Sequence, residues 1–285
     1  VNNFPDGSKA ATHELLAFDA FFNDYLIEFL FTSQANFDNW YCRVFNKKTK
    51  AGDWASFTNA SANPLYNKKW AFCGDSFTYG DNTGSIEYGK YAGQNNSYAY
   101  LICARNNMKA QNLSVNGRSM GYSPDYTNSF TFVDAPKNYT KIDNDVDYIT
   151  LYFGINDSHQ SSLIPIGNID DENNNTFCGA YNVAVKYILS NYPTAHLGII
   201  VSNGCETDAY RTKTIEIANK YGIPYIDLNG DKDTPAMIRS SNPNISNYTK
   251  DIRLKEFRVS ETNLHPNQKG HLFESYCIEN FLKRL

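Results

Sequence analysis

Residues 69–80 read K-W-A-F-C-G-D-S-F-T-Y-G. A short apolar run stops at Gly74, and Asp75 and Ser76 follow at once. A continuous apolar run bounded by turn formers suits a strand buried on both faces. A serine at the end of such a strand is either a turn residue capping a helix or a nucleophile held at the edge of a sheet. The rest of the sequence bears on that choice.

The same rhythm recurs downstream. Strands are expected at 69–73, 111–115, 147–153, 196–202 and 223–227, with helices at about 94–109, 177–191, 207–221 and 267–284. Apolar strands alternating with helices imply a parallel sheet covered on both faces, an α/β/α sandwich. Open sheets of this kind bind ligands at the carboxyl ends of their strands. Those ends carry Gly74-Asp75-Ser76, then Asn116-Gly117-Arg118-Ser119, then Gly154-Ile155-Asn156-Asp157. Near the chain end stands L-H-P-N-Q-K-G-H, with His265 just before the last helix and Pro266 suited to open it.

Each of these motifs is common alone. All four in this order resemble the SGNH hydrolases, the esterase superfamily also named after its G-D-S motif, over about residues 70–285. The resemblance implies a flavodoxin-like α/β/α hydrolase domain and a serine esterase needing no metal and no cofactor. It implies Ser76 as nucleophile and His265 as its base. Residue chemistry agrees, since a serine hydroxyl needs a base within hydrogen-bond reach and imidazole titrates near neutral pH. By the same resemblance the Ser76 N–H, the Gly117 N–H and the Asn156 amide form an oxyanion hole.

One position departs from the family pattern, which places Asp three residues before the histidine. Here that residue is Thr262, in S-E-T-N-L-H-P. Glu261, the Thr262 hydroxyl or a backbone carbonyl are the candidates to orient His265; Asn263 is nearer but uncharged. Asp75 and Asp157 read as braces for their loops. Arg118 and His159 are candidate substrate contacts, and His271 reads as a surface or packed residue.

Ahead of this domain, residues 1–66 read as a helical or irregular lead-in to a hydrolase domain at 67–285. Leu15, Phe18, Phe22, Leu26 and Phe29 fall at helical spacing, so an amphipathic helix is expected at 13–31, with a face suited to self-association or a larger assembly. Residues 32–67 are rich in Asn, Ser, Lys and Gly and read as irregular. Val1 is not an initiator residue, which reads as a mature form or a piece of a longer chain.

A net charge of −4 without a basic run argues against a nucleic-acid partner. No apolar stretch is long enough to span a bilayer. The six cysteines form no C-x-x-C pair, so a zinc site is not expected, and Cys73 and Cys103 read as buried thiols. The 21 Tyr and abundant Asn suit a polar ligand, and equally a Tyr-rich core and an AT-rich genome. A small-molecule or glycan ester is the expected substrate, with carbohydrate O-acetyl first, a lipase or thioesterase as the alternative, and a glycan-binding module of a surface or virion assembly as the non-enzymatic one. The expected location is extracellular or at a cell or virion surface, otherwise cytoplasmic.

Overall fold

The computed structural model describes residues 13–19, 25–32, 40–46, 55–56, 63–80, 97–125, 131–134, 138–231, 234–237 and 239–285. The chain divides into two compact units, Val1–Tyr66 and Asn67–Leu285.

The first unit contains strands rather than the expected helix. β1 (His13–Asp19), β2 (Tyr25–Thr32), β3 (Trp40–Asn46) and β4 (Ala55–Ser56) form one antiparallel sheet in sequence order. The register runs from His13 opposite Thr32 to Asp19 opposite Leu26. The expectation failed because H-E-L-L-A-F-D and Y-L-I-E-F-L-F-T are apolar densely enough to satisfy a 3.6-residue and a 2-residue repeat alike. Asn23-Asp24 between them is a chain-reversal signal, and aromatic and branched residues favour strands. The middle of the expected helix, residues 20–24, lies outside the described residues. With the helix goes the premise for a helical self-association face.

The second unit holds a five-stranded sheet in the order β6-β5-β7-β8-β9. Its strands are β5 (Lys69–Gly74), β6 (Lys109–Asn112), β7 (Tyr148–Tyr152), β8 (His196–Val201) and β9 (Tyr225–Asp227). Every pairing is parallel. The helices are α1 (Ser76–Tyr79), α2 (Tyr98–Asn106), α3 (Ile155–His159), α4 (Phe177–Asn191), α5 (Asp208–Tyr221), α6 (Asn247–Phe257) and α7 (Gln268–Leu282). This is the expected α/β architecture with helices flanking a central parallel sheet. The start of the helix expected at 94–109 falls partly outside the described residues, and α6 was not foreseen.

All five residues of β7 are buried, and successive residues of a strand face opposite ways, so both faces of the sheet are covered. Trp70 and Phe72 meet Tyr98 and Tyr100 of α2 on one face. Ala71, Cys73, Ile149 and Leu151 join Tyr181, Val185 and Ile188 of α4 in the main core. Cys73, Cys103, Cys178, Cys205 and Cys277 are free thiols; the first four are buried, which pushes Cys73, Cys103 and Cys205 up to about 12 and leaves them unreactive.

Strand order positions the site. From β5 the chain crosses outward to β6, then returns past β5 to β7 and continues to β8 and β9. The loops after β5 and β7, adjacent strands, therefore leave in opposite directions and open a crevice at their carboxyl ends. Ser76 follows β5, and Asn156 follows β7.

Candidate active site

Ser76 opens α1, where the first backbone N–H groups of a helix have no partner within the helix. Asp75 caps it, its Oδ1 accepting from the Phe77 N–H at 2.9 Å. Gly74 is required by space: a Cβ there would lie 2.2 Å from Thr78 Oγ1 and 2.6 Å from Thr78 Cβ. The absence of a side chain lets α1 fold back directly over the strand end.

His265 reaches the serine from a different part of the chain. After α6 the backbone makes a short antiparallel return in which Arg258 bridges Pro266. The Val259 N–H donates to His265 O at 2.9 Å and the Ser260 N–H to Asn263 O at 3.1 Å. This aims the imidazole at Ser76, with Nε2 2.8 Å from Oγ. The Phe77 ring packs against the imidazole with centroids 5.4 Å apart.

The group at the ring's far nitrogen is none of the three candidates but the Asn263 amide. Glu261 and Thr262 occupy the exposed middle of the Ser260–Asn263 turn, and the Thr262 hydroxyl lies near Ser260 Oγ instead. Thr262 nevertheless lines the cavity, beside Asn263 and His265. Asn263, at the end of the turn, points back. Its Oδ1 accepts from the His265 backbone N–H at 3.1 Å and lies 2.7 Å from His265 Nδ1. A backbone N–H only donates, so the amide atom facing it is the oxygen. An oxygen there makes Nδ1 the protonated nitrogen and leaves the Nε2 lone pair for the serine hydroxyl.

Gly154, at φ +124°, occupies backbone space favourable only to glycine and turns the chain into α3. This brings Asn156 inward, its Nδ2 donating to Arg118 O at 2.8 Å. Gly117 precedes Arg118 and sits at φ +73°, in a turn closed by Arg118 N–H donating to Val115 O at 3.2 Å. Asp157 ties the same two loops, accepting from the Met120 and Gly121 N–H groups. Both aspartates thus brace loops, as read from the sequence. Ser76, Asn156 and His265 line one cavity of about 440 Å³ together with Phe77, Leu264 and His159.

Arg118 is not available to a substrate. It is fully buried, its Nη1 donates to Leu113 O at 2.9 Å, and its guanidinium lies 5.9 Å from the Phe132 ring centroid. Burial pushes its pKa down to about 10, and it stays a cation at neutral pH. His159 does lie at the cavity, half-buried, its Nε2 3.7 Å from Glu206 Oε1. Burial lowers its pKa, and Arg239 lowers it further against the pull of Glu206. Arg239, overlooked in the sequence because surface arginines are common, also lines the cavity.

Beneath the site lies a buried polar layer. Thr78 Oγ1 and Tyr98 OH are 3.0 Å apart, Tyr152 OH donates to Asn203 Oδ1 at 2.8 Å, and Asn203 Nδ2 donates to Glu274 Oε1 at 2.9 Å. Burial pushes the carboxyl groups of Glu274 and Asp75 up to about 8. His271 is fully buried, and burial brings it down to about 3, so it is a neutral packed residue against Tyr98. Among the described residues no cluster of His, Cys, Asp and Glu could hold a metal ion, and no helix is long and apolar enough to cross a membrane.

A sequence profile of the GDSL-like lipase/acylhydrolase family matches residues 72–272, and the chain belongs to that family. Membership supports ester hydrolysis as its activity. Among solved structures, a protein from Lactobacillus plantarum superposes with a TM-score of 0.57 at 21% identity, over 77% of this chain and 98% of its own. A Bacteroides ovatus protein assigned as a GDSL-like lipase gives 0.52 at 19% identity, over 76% and 99%. One from Bacteroides uniformis, assigned likewise, gives 0.53 at 16%, over 77% and 97%. At these identities the likeness is one of fold. No curated protein matches the sequence.

Proposed function

We propose that this chain is a serine esterase that removes small acyl groups, acetyl above all, from a polar carrier such as a carbohydrate. The observation that carries the reading is the 2.8 Å approach of His265 Nε2 to Ser76 Oγ, with the ring's other nitrogen committed to Asn263. Ser76 Oγ attacks the ester carbonyl while His265 Nε2 takes its proton. The tetrahedral oxyanion is met by the Ser76 N–H, the Gly117 N–H and an Asn156 amide N–H. Such donors contribute about 3–4 kcal/mol each when already in place. His265 returns the proton to the leaving alcohol, then takes one from water, which attacks the acyl-serine and frees the acid.

An acetyl substrate suits a cavity whose lining is mostly small or polar, with Phe77, Ile155 and Leu264 as its larger apolar members. The test is acetate release from acetylated glycans by wild type and by Ser76→Ala. Equal release from both ends the esterase reading. Activity that rises steadily with acyl chain length replaces acetyl with a lipid or thioester substrate. Labelling of Ser76 by a fluorophosphonate separates an activated serine from a binding module.

A further inference from the structure

Arg239 stands on the cavity that holds Ser76 and His265, and no residue of the catalytic set explains it. Its guanidinium has no ion-pair partner among the described residues, and no Asp or Glu is among the described residues lining the cavity. A half-buried guanidinium on a reaction cavity, with no ion-pair partner among the described residues, is placed to receive an anionic group of a ligand.

The segment carrying it is held in place. The Met237 N–H donates to Leu228 O at 2.9 Å. Ser240 Oγ donates to Asn229 O at 2.5 Å and the Ser241 N–H to Asn229 Oδ1 at 2.9 Å. Asn242 Nδ2 donates to Gly230 O at 2.7 Å, and Asn229 itself donates to Ser202 O at 2.8 Å at the end of β8. Asn229, Ser240 and Asn242 are all buried. The backbone on both sides of Arg239 is therefore fastened to the sheet edge, and the charge is presented from a prepared position. His159, whose pKa burial and Arg239 lower against the pull of Glu206 3.7 Å away, adds an imidazole beside it.

We propose that Arg239 is a specificity residue that receives a carboxylate on the carrier half of the ester. The inference rests on the esterase reading above. An acetyl group has no ionisable atom, so a charge on its ester must lie on the alcohol side. The preferred carrier is then an acidic one, a sugar acid being the natural polar example. A guanidinium fork matches a planar carboxylate through two parallel N–H···O bonds, which a lysine cannot reproduce. The chain's net charge of −4 repels anions at a distance. That diffuse field is screened beyond about 8 Å at physiological salt, so the local pair outweighs it.

The test compares 4-acetoxybenzoate with its neutral isostere 4-acetoxybenzamide. In wild type the acid is expected to be favoured at least tenfold in kcat/KM. Arg239→Gln should cut that preference at least tenfold and Arg239→Lys should keep part of it. Binding is read separately by calorimetry on Ser76→Ala, using unreactive 4-acetamidobenzoate and 4-acetamidobenzamide, with the same tenfold preference expected and the same loss in Ser76→Ala/Arg239→Gln. A preference near one, or one that survives Arg239→Gln, overturns the assignment. Absence of turnover with either ester in wild type, alongside an Arg239-dependent binding preference, overturns the esterase reading and leaves Arg239 as an anion receptor.

Discussion

Asn263 and His265 are joined twice through a single atom: Asn263 Oδ1 receives the backbone N–H of His265 and lies 2.7 Å from its ring Nδ1. One amide oxygen thereby sets both the local backbone and the tautomer of the proposed base. An amide oxygen holds the ring without adding negative charge to stabilise the imidazolium formed during reaction.

The first prediction follows from that difference. Asn263→Asp keeps an oxygen at Nδ1 and adds a charge, which favours protonated His265. The base must be neutral to accept the serine proton, so the acid limb of the kcat/KM profile should move to higher pH. Asn263→Ala should lower kcat about 10–100-fold with the limb left nearer its original place. An unmoved limb in Asn263→Asp would show that residue 263 does not govern the base.

Ser76→Ala and His265→Ala should each reduce ester turnover at least about 10³-fold, and the double variant little further, because the two act as one unit. Single-turnover measurement with 4-nitrophenyl acetate checks this. Additive losses would mean that the two side chains contribute separately.

Asn156→Ala should lower kcat about 10²–10³-fold with little change in KM, since the proposed oxyanion donor acts after substrate has bound. A rise in KM at unchanged kcat would instead make Asn156 a ground-state contact. Its bond to Arg118 O supplies a control: thermal unfolding of the variant reports how much of the loss is structural.

Gly74→Ala should destabilise the fold by about 1–3 kcal/mol, because the new methyl meets the Thr78 side chain. Thr78→Gly removes both colliding atoms, Oγ1 and Cβ, at the cost of the contact with Tyr98 OH. The double variant should therefore be more stable than the sum of the single effects implies. Additive denaturation midpoints would place the conflict elsewhere.

Glu274 links the buried layer to pH. Its folded-state pKa is raised to about 8 by burial, so the native state holds its proton where the unfolded chain has released it. Stability then falls as pH rises from about 4 to about 8, the sign expected when the native state binds more protons. Glu274→Gln keeps the acceptor for Asn203 and removes that titration. The variant's Tm should fall less than that of wild type across this interval. Asp75, likewise raised to about 8, retains its share of the slope in both proteins.

How far the sequence revealed all this depended on the kind of signal. The five parallel strands stood out because a strand buried on both faces is a continuous apolar run, as in Tyr148–Tyr152. Ser76, Asn156 and His265 stood out because each follows such a run or precedes the last helix. Residues 13–32 misled because apolar residues are so dense there that two periodicities fit equally well. Asn263 was passed over for a charged neighbour. The signal was there: an Asn whose side chain can accept from the backbone N–H two residues on is a local turn former, and that bond sets Asn263 Oδ1 beside the His265 ring. Arg118 and Arg239 are indistinguishable by composition. Only the fold buries the first under Phe132 and leaves the second on the cavity.

The sheet's strand order also bears on how this scaffold can diversify. Ser76 and the Asn156 amide follow two neighbouring central strands, whereas residues 234–237 and 239–242 are tied to the chain just after the edge strand β9 by bonds from Met237, Ser240, Ser241 and Asn242 that contribute nothing to strand pairing. Insertions or exchanges there would redraw which alcohol is accepted without disturbing how the acyl group is transferred. On the proposed reading, those two short segments are the place to graft when a new carrier is wanted, because the Ser76–His265 geometry does not depend on them.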